Sequence, residues 1–478
     1  MPILFGRVIL SNRETRSAIT LILALGLLSS SAYAADEGAQ AADAAKAKPT
    51  AEAGEGTTTW SSGAAGGLFF GGADTGSSIG QQSVTTGYEL GGSGVAGGRT
   101  PAQENAIMTS PAKGRPIRFD NGIFIYPAAM IGFGRNNNVL GTNTNQKSSD
   151  FVVLRPELVT ELKTHGDRYT LSYLGNYAHY TSSASDDFNH HEFWAAGDNY
   201  FTSRVRLGWG VGYLDKTDPR GSTDRASSQE PDRWHAPVVR ALGIYGAQGA
   251  IGRIEGETSF MRKRYDNNRN TTAQSDVDLT TVSGRFFYRF MPRTSLVFEA
   301  RNTWANYVSP LSTSDNTDTR LYAGLTWEAT AKTTGTIKVG QAHKNFDDGS
   351  RKDATMGSWE GGLRWSPLTY SQFDLQSSRA PADSTGIGNY VINSGTTLVW
   401  NHKWASYISS RANLGLLKSQ YSGNAREDST HNYGLGFFHE VGYRARVGLD
   451  WNRTDRNSNQ DTYDFKRDVM MATLEVVL

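Results

Sequence analysis

The sequence predicts an all-β protein that folds as a transmembrane, antiparallel, up-and-down β-barrel of about 18 strands. Three observations support this prediction. From Asn121 to the last residue, segments of roughly ten to fifteen residues alternate apolar and polar side chains, which is the period of a β-strand. The connectors between these segments are short and long in turn. In the segments that sort cleanly, charged residues occupy the face opposite the large apolar residues.

The clearest hairpin of the sequence lies in residues 356–376. Up to Trp365, tryptophan, glycine and leucine fall on one face, and charged residues such as Glu360 fall on the other. Proline presets φ at the second position of a turn, so Ser366–Thr369 is predicted to be the tight turn. Each strand is about as long as a tilted strand must be to cross a bilayer. A single hairpin also fits a soluble sheet, so the repetition of the pattern is what favours a barrel.

The connectors fall into two classes that alternate along the chain. The eight short connectors are His165–Asp167, near Thr202, Gln248–Ala250, Met291–Thr294, Thr330–Thr333, Ser366–Thr369, near Lys403, and Glu440–Gly442. The longer, polar connectors are 136–149, 215–232, 266–275, 310–318, 347–353, 380–389, 422–428 and 456–461. Short periplasmic turns and long extracellular loops are typical of outer-membrane barrels. Eight turns join sixteen strands, and one more strand at each end gives about 18, with both termini periplasmic.

The charged face is predicted to line the lumen. A charge at mid-strand would cost about 2–4 kcal/mol against lipid at the bilayer midplane, whereas leucine and tryptophan suit that position. The lumen-lining candidates are Arg204, Arg206, Arg285, Arg289, Arg301, Arg320, Glu328, Glu360, Arg364, Asp374, Arg444, Arg446 and Asp450. These residues either form a translocation path for a hydrophilic solute or pair across neighbouring strands and brace the wall. Segments 191–201 and 238–248 sort poorly, and we assign no faces to them.

The N-terminal part of the chain differs from the rest. Residues 1–34 read as a signal peptide, because arginines precede a short apolar run that ends in Ala32-Tyr33-Ala34. Residues 35–116 are rich in glycine, alanine and serine and are predicted to be a disordered periplasmic tail. The alternative is a plug, or an arm that docks a periplasmic partner. The barrel is then expected to span residues 117–478.

Composition argues against several classes of function. The chain contains no cysteine, which excludes disulfides, thiolate catalysis and cysteine-ligated metal sites. The formal net charge of +1 gives no argument for a nucleic acid partner. The nine histidines are scattered, and His190-His191-Glu192 lacks the spacing of a helical zinc motif, so we read this trio as surface near a loop. We therefore predict no enzyme activity and no catalytic, cofactor or metal site.

Several short motifs carry a family resemblance. They are Gly340–Phe346, Trp359–Thr369, Arg379, Gly386–Tyr390, Trp404, Tyr421, Arg426–Asp428 and Gly442–Tyr443. In these residues the chain resembles the β-barrel porin family encoded beside exopolysaccharide synthesis genes. The resemblance extends from Asn121 to Leu478, and it implies an outer-membrane component of an exopolysaccharide export or assembly system, with no catalytic residues to transfer. The terminal Leu478 departs from the aromatic residue that is usual at this position.

The expected function is therefore a porin-like channel of the bacterial outer membrane that takes part in export or assembly of an exopolysaccharide. Its expected partners are outer-membrane lipid, the polysaccharide as transported solute, and periplasmic export components. Two alternatives remain open. The first is a diffusion porin for general solutes or sugars, and the second is a non-conducting scaffold for a polysaccharide synthesis complex.

Overall fold

The computed structural model describes residues 116–221, 224–225, 229–247, 250–330, 332–384 and 388–477. The predicted signal peptide (1–34) and all but the last residue of the predicted tail (35–116) lie outside these ranges. No helix in the described part of the chain is long and apolar enough to cross a membrane.

Strands account for nearly all of the regular structure in the described residues, and each is 13–16 residues long except for the two-residue β1. They are β1 (Ile117–Arg118), β2 (Ile123–Asn136), β3 (Ser149–Thr164), β4 (Asp167–Tyr180), β5 (Phe188–Tyr200), β6 (Val205–Asp218), β7 (Asp232–Tyr245), β8 (Gly252–Tyr265), β9 (Val277–Met291), β10 (Thr294–Tyr307), β11 (Asn316–Thr330), β12 (Thr333–Phe346), β13 (Ala354–Leu368), β14 (Ser371–Asp383), β15 (Tyr390–Ala405), β16 (Ile408–Ser422), β17 (Glu427–Val441), β18 (Ala445–Ser458) and β19 (Phe465–Val477). Short helical turns occur in the connectors at Ala184–Asp186, Arg269–Thr272, Ala273–Ser275 and Asp461–Tyr463.

Strands β2 to β19 form a closed barrel. Each of them pairs antiparallel with the next strand in the chain, and β19 pairs with β2 to close the ring. The closing register runs from Val469 opposite Asn136 to Val477 opposite Ala128. The short strand β1 adds only two residue pairs to β2. The predicted antiparallel barrel of 18 strands is therefore confirmed.

The two ends of the barrel differ in their connectors, as the sequence predicted. At the end that we call the short-turn end, β3 and β4 are joined by only His165 and Gly166, whose positive φ angles of 49° and 91° suit a tight hairpin turn. At the opposite, long-loop end, β2 and β3 are separated by residues 137–148. The same contrast holds for most of the barrel, although the β7–β8 connector (246–251) at the short-turn end is longer than the β16–β17 connector (423–426) at the long-loop end.

Three predicted turns are wrong in position. Those near Lys403 and at Glu440–Gly442 are predicted too early, because β15 continues to Ala405 and β17 to Val441. The third is Ser366–Thr369. Strand β13 continues through Ser366 and Pro367 to Leu368, and the turn consists of Thr369 and Tyr370. The Ser366 N–H donates to the Lys332 carbonyl at 2.7 Å, so the pairing with the preceding hairpin extends past Trp365. A register shift between Trp365 and Leu368 accommodates the proline, which has no N–H to give to the ladder.

The two faces of the wall reverse the usual distribution of a soluble protein. Large apolar side chains on the outer face are exposed, for example Leu449 at 60% and Phe437 at 58%. Charged side chains on the inner face are buried, for example Glu360 at 1% and Glu299 at 3%. An exposed apolar band around a charged interior is the arrangement expected for a barrel whose outer face contacts lipid.

The inner face is not polar throughout. A cluster of buried apolar residues comprises Met130, Val139, Phe151, Val153, Ala178, Tyr180, Phe188, Phe438, Val469 and Met471. A second cluster consists of Trp194, Leu214, Ala236 and Val238. Strand β7 carries Ala236, Val238 and Leu242 on its buried inner face, with the charged Arg240 between the last two. Its outer face is apolar as well at Val239 and Ala241. This is why alternation could not assign faces to the segment that contains it.

Candidate functional site

A network of buried ion pairs crosses the middle of the inner wall. Arg301 of β10 donates from Nη1 to Glu360 Oε1 of β13 at 2.8 Å and from Nε to Glu299 Oε1 at 2.9 Å. Lys338 of β12 lies between the two carboxylates, with Nζ at 2.6 Å from Glu299 Oε2 and 2.7 Å from Glu360 Oε2. All four side chains are at most 7% exposed. The network therefore links three strands of the wall through charge-assisted hydrogen bonds.

The same network extends towards β8. Arg285 of β9 donates to Glu255 Oε2 at 2.8 Å, makes a further bond to Glu257, and lies 3.6 Å from Glu299. Arg253 pairs with the other oxygen of Glu255 at 3.0 Å. Positive and negative groups thus alternate from β8 to β13, so this part of the wall carries little uncompensated charge. Such pairing braces neighbouring strands rather than presenting a ladder of free charges.

Most of the other predicted lumen residues also lie on the inner face and have a charged partner. The pairs are Arg206–Asp198 at 3.2 Å, Arg320–Asp318 at 2.7 Å, Arg364–Asp374 at 2.6 Å, Asp450–Arg411 at 3.0 Å and Arg446–Glu475 at 2.7 Å. Arg364 and Asp374 are about one-third and one-quarter exposed, whereas the members of the last two pairs are almost fully buried. The structure thus favours a bracing role for these charges.

The four remaining predicted residues differ in their positions. Arg204 and Arg444 do not lie on the wall, because both are exposed in short turns just before β6 and β18. In each case the strand begins one residue later than the alternation in the sequence predicts. Arg289 lies on the inner face of β9 near the short-turn end and is half-buried. The side chain of Glu328, in β11, is outside the described part of the structure.

Sequence reasoning missed several inner charges. Lys338 is one of them, although Ile337 and Val339 on either side are exposed on the outer face and the local alternation was available to reveal it. The predicted position of His190 at a surface near a loop is wrong, because this residue lies in β5 and is only 8% exposed. In the described residues, no group of three or more histidine, aspartate or glutamate side chains is arranged to hold a metal ion.

The connector between β6 and β7 reaches across the long-loop end of the barrel. Arg220 donates from Nε to Asp186 Oδ1 at 2.9 Å, on the near side between β4 and β5. Its carbonyl oxygen accepts a hydrogen bond from Arg467 Nη2 of β19 at 2.8 Å. Further along the connector, the Asp224 carbonyl accepts from Arg426 Nη1 at 2.7 Å. Arg426 immediately precedes β17, and β7 and β17 are separated by nine strands in one direction and seven in the other.

Arg426 is the anchor on the far side. It is fully buried, its Nε donates to Asp428 Oδ1 at 2.9 Å, and its guanidinium carbon lies 3.3 Å from the ring centroid of Tyr463. Burial opposes its charge, but the hydrogen bond to Asp428 and the electrostatic interactions with Asp428, Tyr421 and Tyr463 together outweigh burial and raise the pKa of Arg426 above the ordinary arginine value. A second contact joins Asp224 to the loop after β14, where Ser384 Oγ donates to Asp224 Oδ2 at 2.9 Å. The β6–β7 connector is therefore bonded on both sides of the long-loop end of the barrel.

Comparison with protein families identifies the barrel. The family described as "Putative beta-barrel porin 2" matches residues 121–478, which is the closed barrel of β2 to β19. The chain belongs to this family. The porin is an outer-membrane β-barrel channel of bacteria, and the lipid-facing band and short turns are those of that class.

Comparison with solved structures also finds similar chains. It is similar to Pseudomonas aeruginosa OpdO at 13% identity and a TM-score of 0.43, over 74% of this chain and 97% of that one. It is similar to Pseudomonas aeruginosa OprD at 10% identity and 0.42, over 77% and 98%. A bacterial polysaccharide outer membrane secretin matches at 10% identity and 0.34, over 74% and 97%. Comparison with curated protein sequences finds no match.

The hydrogen bond between Ser384 and Asp224 allows a direct test of how the β6–β7 connector of the porin is fixed across the long-loop end. Replacing Ser384 with alanine removes one hydrogen bond to Asp224, and such a bond contributes about 1 kcal/mol. We expect amide hydrogen exchange in peptides that cover Arg220 and Asp224 to become about fivefold faster. Hydrogen exchange with mass spectrometry measures this. Replacing Ser377 of β14, which bonds Thr396, is the control and should leave these peptides unchanged.

Proposed function

We propose that this porin takes part in export or assembly of an exopolysaccharide by providing a passive outer-membrane path for it. The observation that carries the proposal is the chemistry of the inner wall. Its charges are largely compensated by ion pairs, as in the Glu299–Arg301–Lys338–Glu360 network. A wall of this kind offers hydrogen-bonding groups without a strong field for small ions.

Aromatic side chains on the inner face add to this argument. Phe438, Tyr322 and Trp194 all lie inside the barrel and are at most 8% exposed. Aromatic faces combined with hydrogen-bonding groups are suited to sugar rings, which have both apolar faces and hydroxyl edges. The resemblance of segments such as Trp359–Thr369 to porins encoded beside exopolysaccharide synthesis genes supports the same substrate class.

A non-conducting scaffold is the second candidate function. Two features at the long-loop end and on the inner wall favour it. The β6–β7 connector is bonded to Arg426 and Ser384 on the far side, and an apolar cluster around Phe151 and Val153 lies on the inner face. Both features narrow the space through which a polymer would pass. In this reading, residues 35–116 would dock the synthesis complex in the periplasm.

Deleting the gene tests the proposal. Loss of extracellular polymer with normal uptake of small solutes is the expected result. Normal polymer with impaired uptake of sugars would instead indicate a diffusion porin for uptake. Conductance of the purified barrel in planar bilayers then separates a channel from a scaffold, since a scaffold gives no conducting steps.

The role of the tail is tested separately. A variant that lacks residues 35–116 but keeps the signal peptide should still insert, because the barrel begins after this segment. Reduced polymer secretion at a normal level of barrel in the outer membrane would support docking of periplasmic export components. Unchanged secretion would contradict the docking role.

A further inference from the structure

Two buried polar side chains lie side by side on the inner wall, and three of their nitrogen and oxygen atoms have no hydrogen-bond partner in the described part of the chain. Asn176 of β4 and His190 of β5 are directly opposite each other in the strand register and are 3% and 8% exposed. Among the described residues, Asn176 Nδ2, Asn176 Oδ1 and His190 Nε2 have no hydrogen-bond partner. Directly opposed residues have Cβ atoms only about 5 Å apart, so these three atoms belong to one small patch.

Such a patch is unusual because buried polar groups are almost always hydrogen-bonded. An unpaired buried donor or acceptor lowers stability, so it is retained where it serves a ligand or an ordered water molecule. Asn176 offers both a donor and an acceptor, and a neutral imidazole offers one of each. This combination complements hydroxyl groups, which also donate and accept.

The surroundings of the patch suit a sugar rather than an ion. The Phe188 ring stacks on the His190 ring with centroids 4.1 Å apart. On the same face of β5, Glu192 accepts a hydrogen bond from Trp194 Nε1 at 2.8 Å and pairs with Lys216 at 3.0 Å. The nearby charges thus compensate each other, and aromatic rings lie on both sides of the patch along the strand.

We propose that Asn176 and His190 form a subsite on the inner wall for the hydroxyl groups of a neutral sugar unit. The inference rests on the proposed polysaccharide path and specifies one of its contact points. The side chains would bind a hydroxyl-bearing edge of the sugar, and Phe188 and Trp194 would supply the apolar border. No covalent step is involved.

Equilibrium binding to the full-length protein in detergent micelles tests the subsite. Maltoheptaose serves as the neutral sugar probe, and a polyethylene glycol of similar size serves as a chain without hydroxyl groups along its length. We expect the wild type to bind maltoheptaose, and the double variant Asn176→Leu/His190→Phe to bind it about tenfold more weakly or worse. Isothermal titration calorimetry gives both affinities. Polyethylene glycol should bind neither protein measurably.

Matched substitutions on the outer face provide the control. Asn189 of β5 and His179 of β4 are exposed and lie in the same two strands. The variant Asn189→Leu/His179→Phe therefore makes the same chemical changes away from the lumen and should keep wild-type affinity. A single His190→Gln variant, which retains a neutral donor and acceptor, should keep most of the affinity and guards against a misfolded double variant.

Several results would overturn the subsite. These are equal affinity of wild type and double variant, absence of maltoheptaose binding to the wild type, and equal losses in the inner-face and outer-face variants. Equal affinities would mean that the patch holds ordered water only. The binding assay does not depend on conduction or on secretion, so a deletion strain with normal polymer would refute the proposed function without deciding this question.

Discussion

Replacing Glu299 with alanine is expected to lower the free energy of unfolding of the barrel by about 3–5 kcal/mol, the cost of removing one partner from a buried ion pair. The Glu299 side chain is fully buried and accepts from Arg301 and Lys338, with Arg285 at 3.6 Å. After the change, Glu360 alone would have to compensate Arg301 and Lys338. The uncompensated positive charge in a low-dielectric wall is what makes the loss large.

Urea titration of the protein refolded in phospholipid vesicles measures this loss. Asp374→Ala is the matched control, because it breaks the Arg364–Asp374 pair, whose members are 34% and 23% exposed. Partly exposed pairs contribute little, so this variant should lose no more than about 1 kcal/mol. The isosteric Glu299→Gln change keeps hydrogen-bonding oxygen at the site and should fall between the two. Equal losses for Glu299→Ala and Asp374→Ala would show that the network is solvated and adds no special stability.

The position of this network was partly predictable from the sequence. Arg285, Arg301 and Glu360 each occupy the polar face of a strand with clean alternation, and a closed barrel leaves such a face only the interior. The partners could not be predicted, because Arg301 and Glu360 are 59 residues apart and meet through the order of the strands. The alternation of apolar and polar residues shows which face of a strand a side chain occupies. Which residues form ion pairs depends on the register between strands.

At the long-loop end of the barrel, alternation within strands does not predict which residues come into contact. Asp224 and Arg426 are 202 residues apart, and neither lies in an alternating strand, so no local pattern connects them. For β7 the reason is different: its inner face carries Val238 and Leu242 on either side of Arg240, so the two faces of this strand do not differ clearly in polarity. The inner apolar clusters of this barrel could therefore not be predicted from the assumption that the whole lumen is polar.

The outer face leads to a second large effect. Leu449 lies near the middle of β18, is 60% exposed, and is paired with Phe437 and Ala472 of the adjacent strands. Replacing it with arginine should reduce the free energy of unfolding in lipid vesicles by about 2–4 kcal/mol, because the charge would face acyl chains near the midplane. The same urea titration in vesicles measures this change.

An arginine at a different height in the bilayer, on the same strand, provides the control. Asn457 is exposed on the same outer face of β18, next to the long-loop end, and arginine there should cost only about 0–1 kcal/mol. Both substitutions add the same charge to an exposed position of one strand, so water outside the barrel would tolerate them equally. Only a hydrocarbon layer makes the cost depend on height along the strand. A difference between Leu449→Arg and Asn457→Arg therefore measures the lipid contact itself, and equal, small costs would contradict an outer face that contacts lipid.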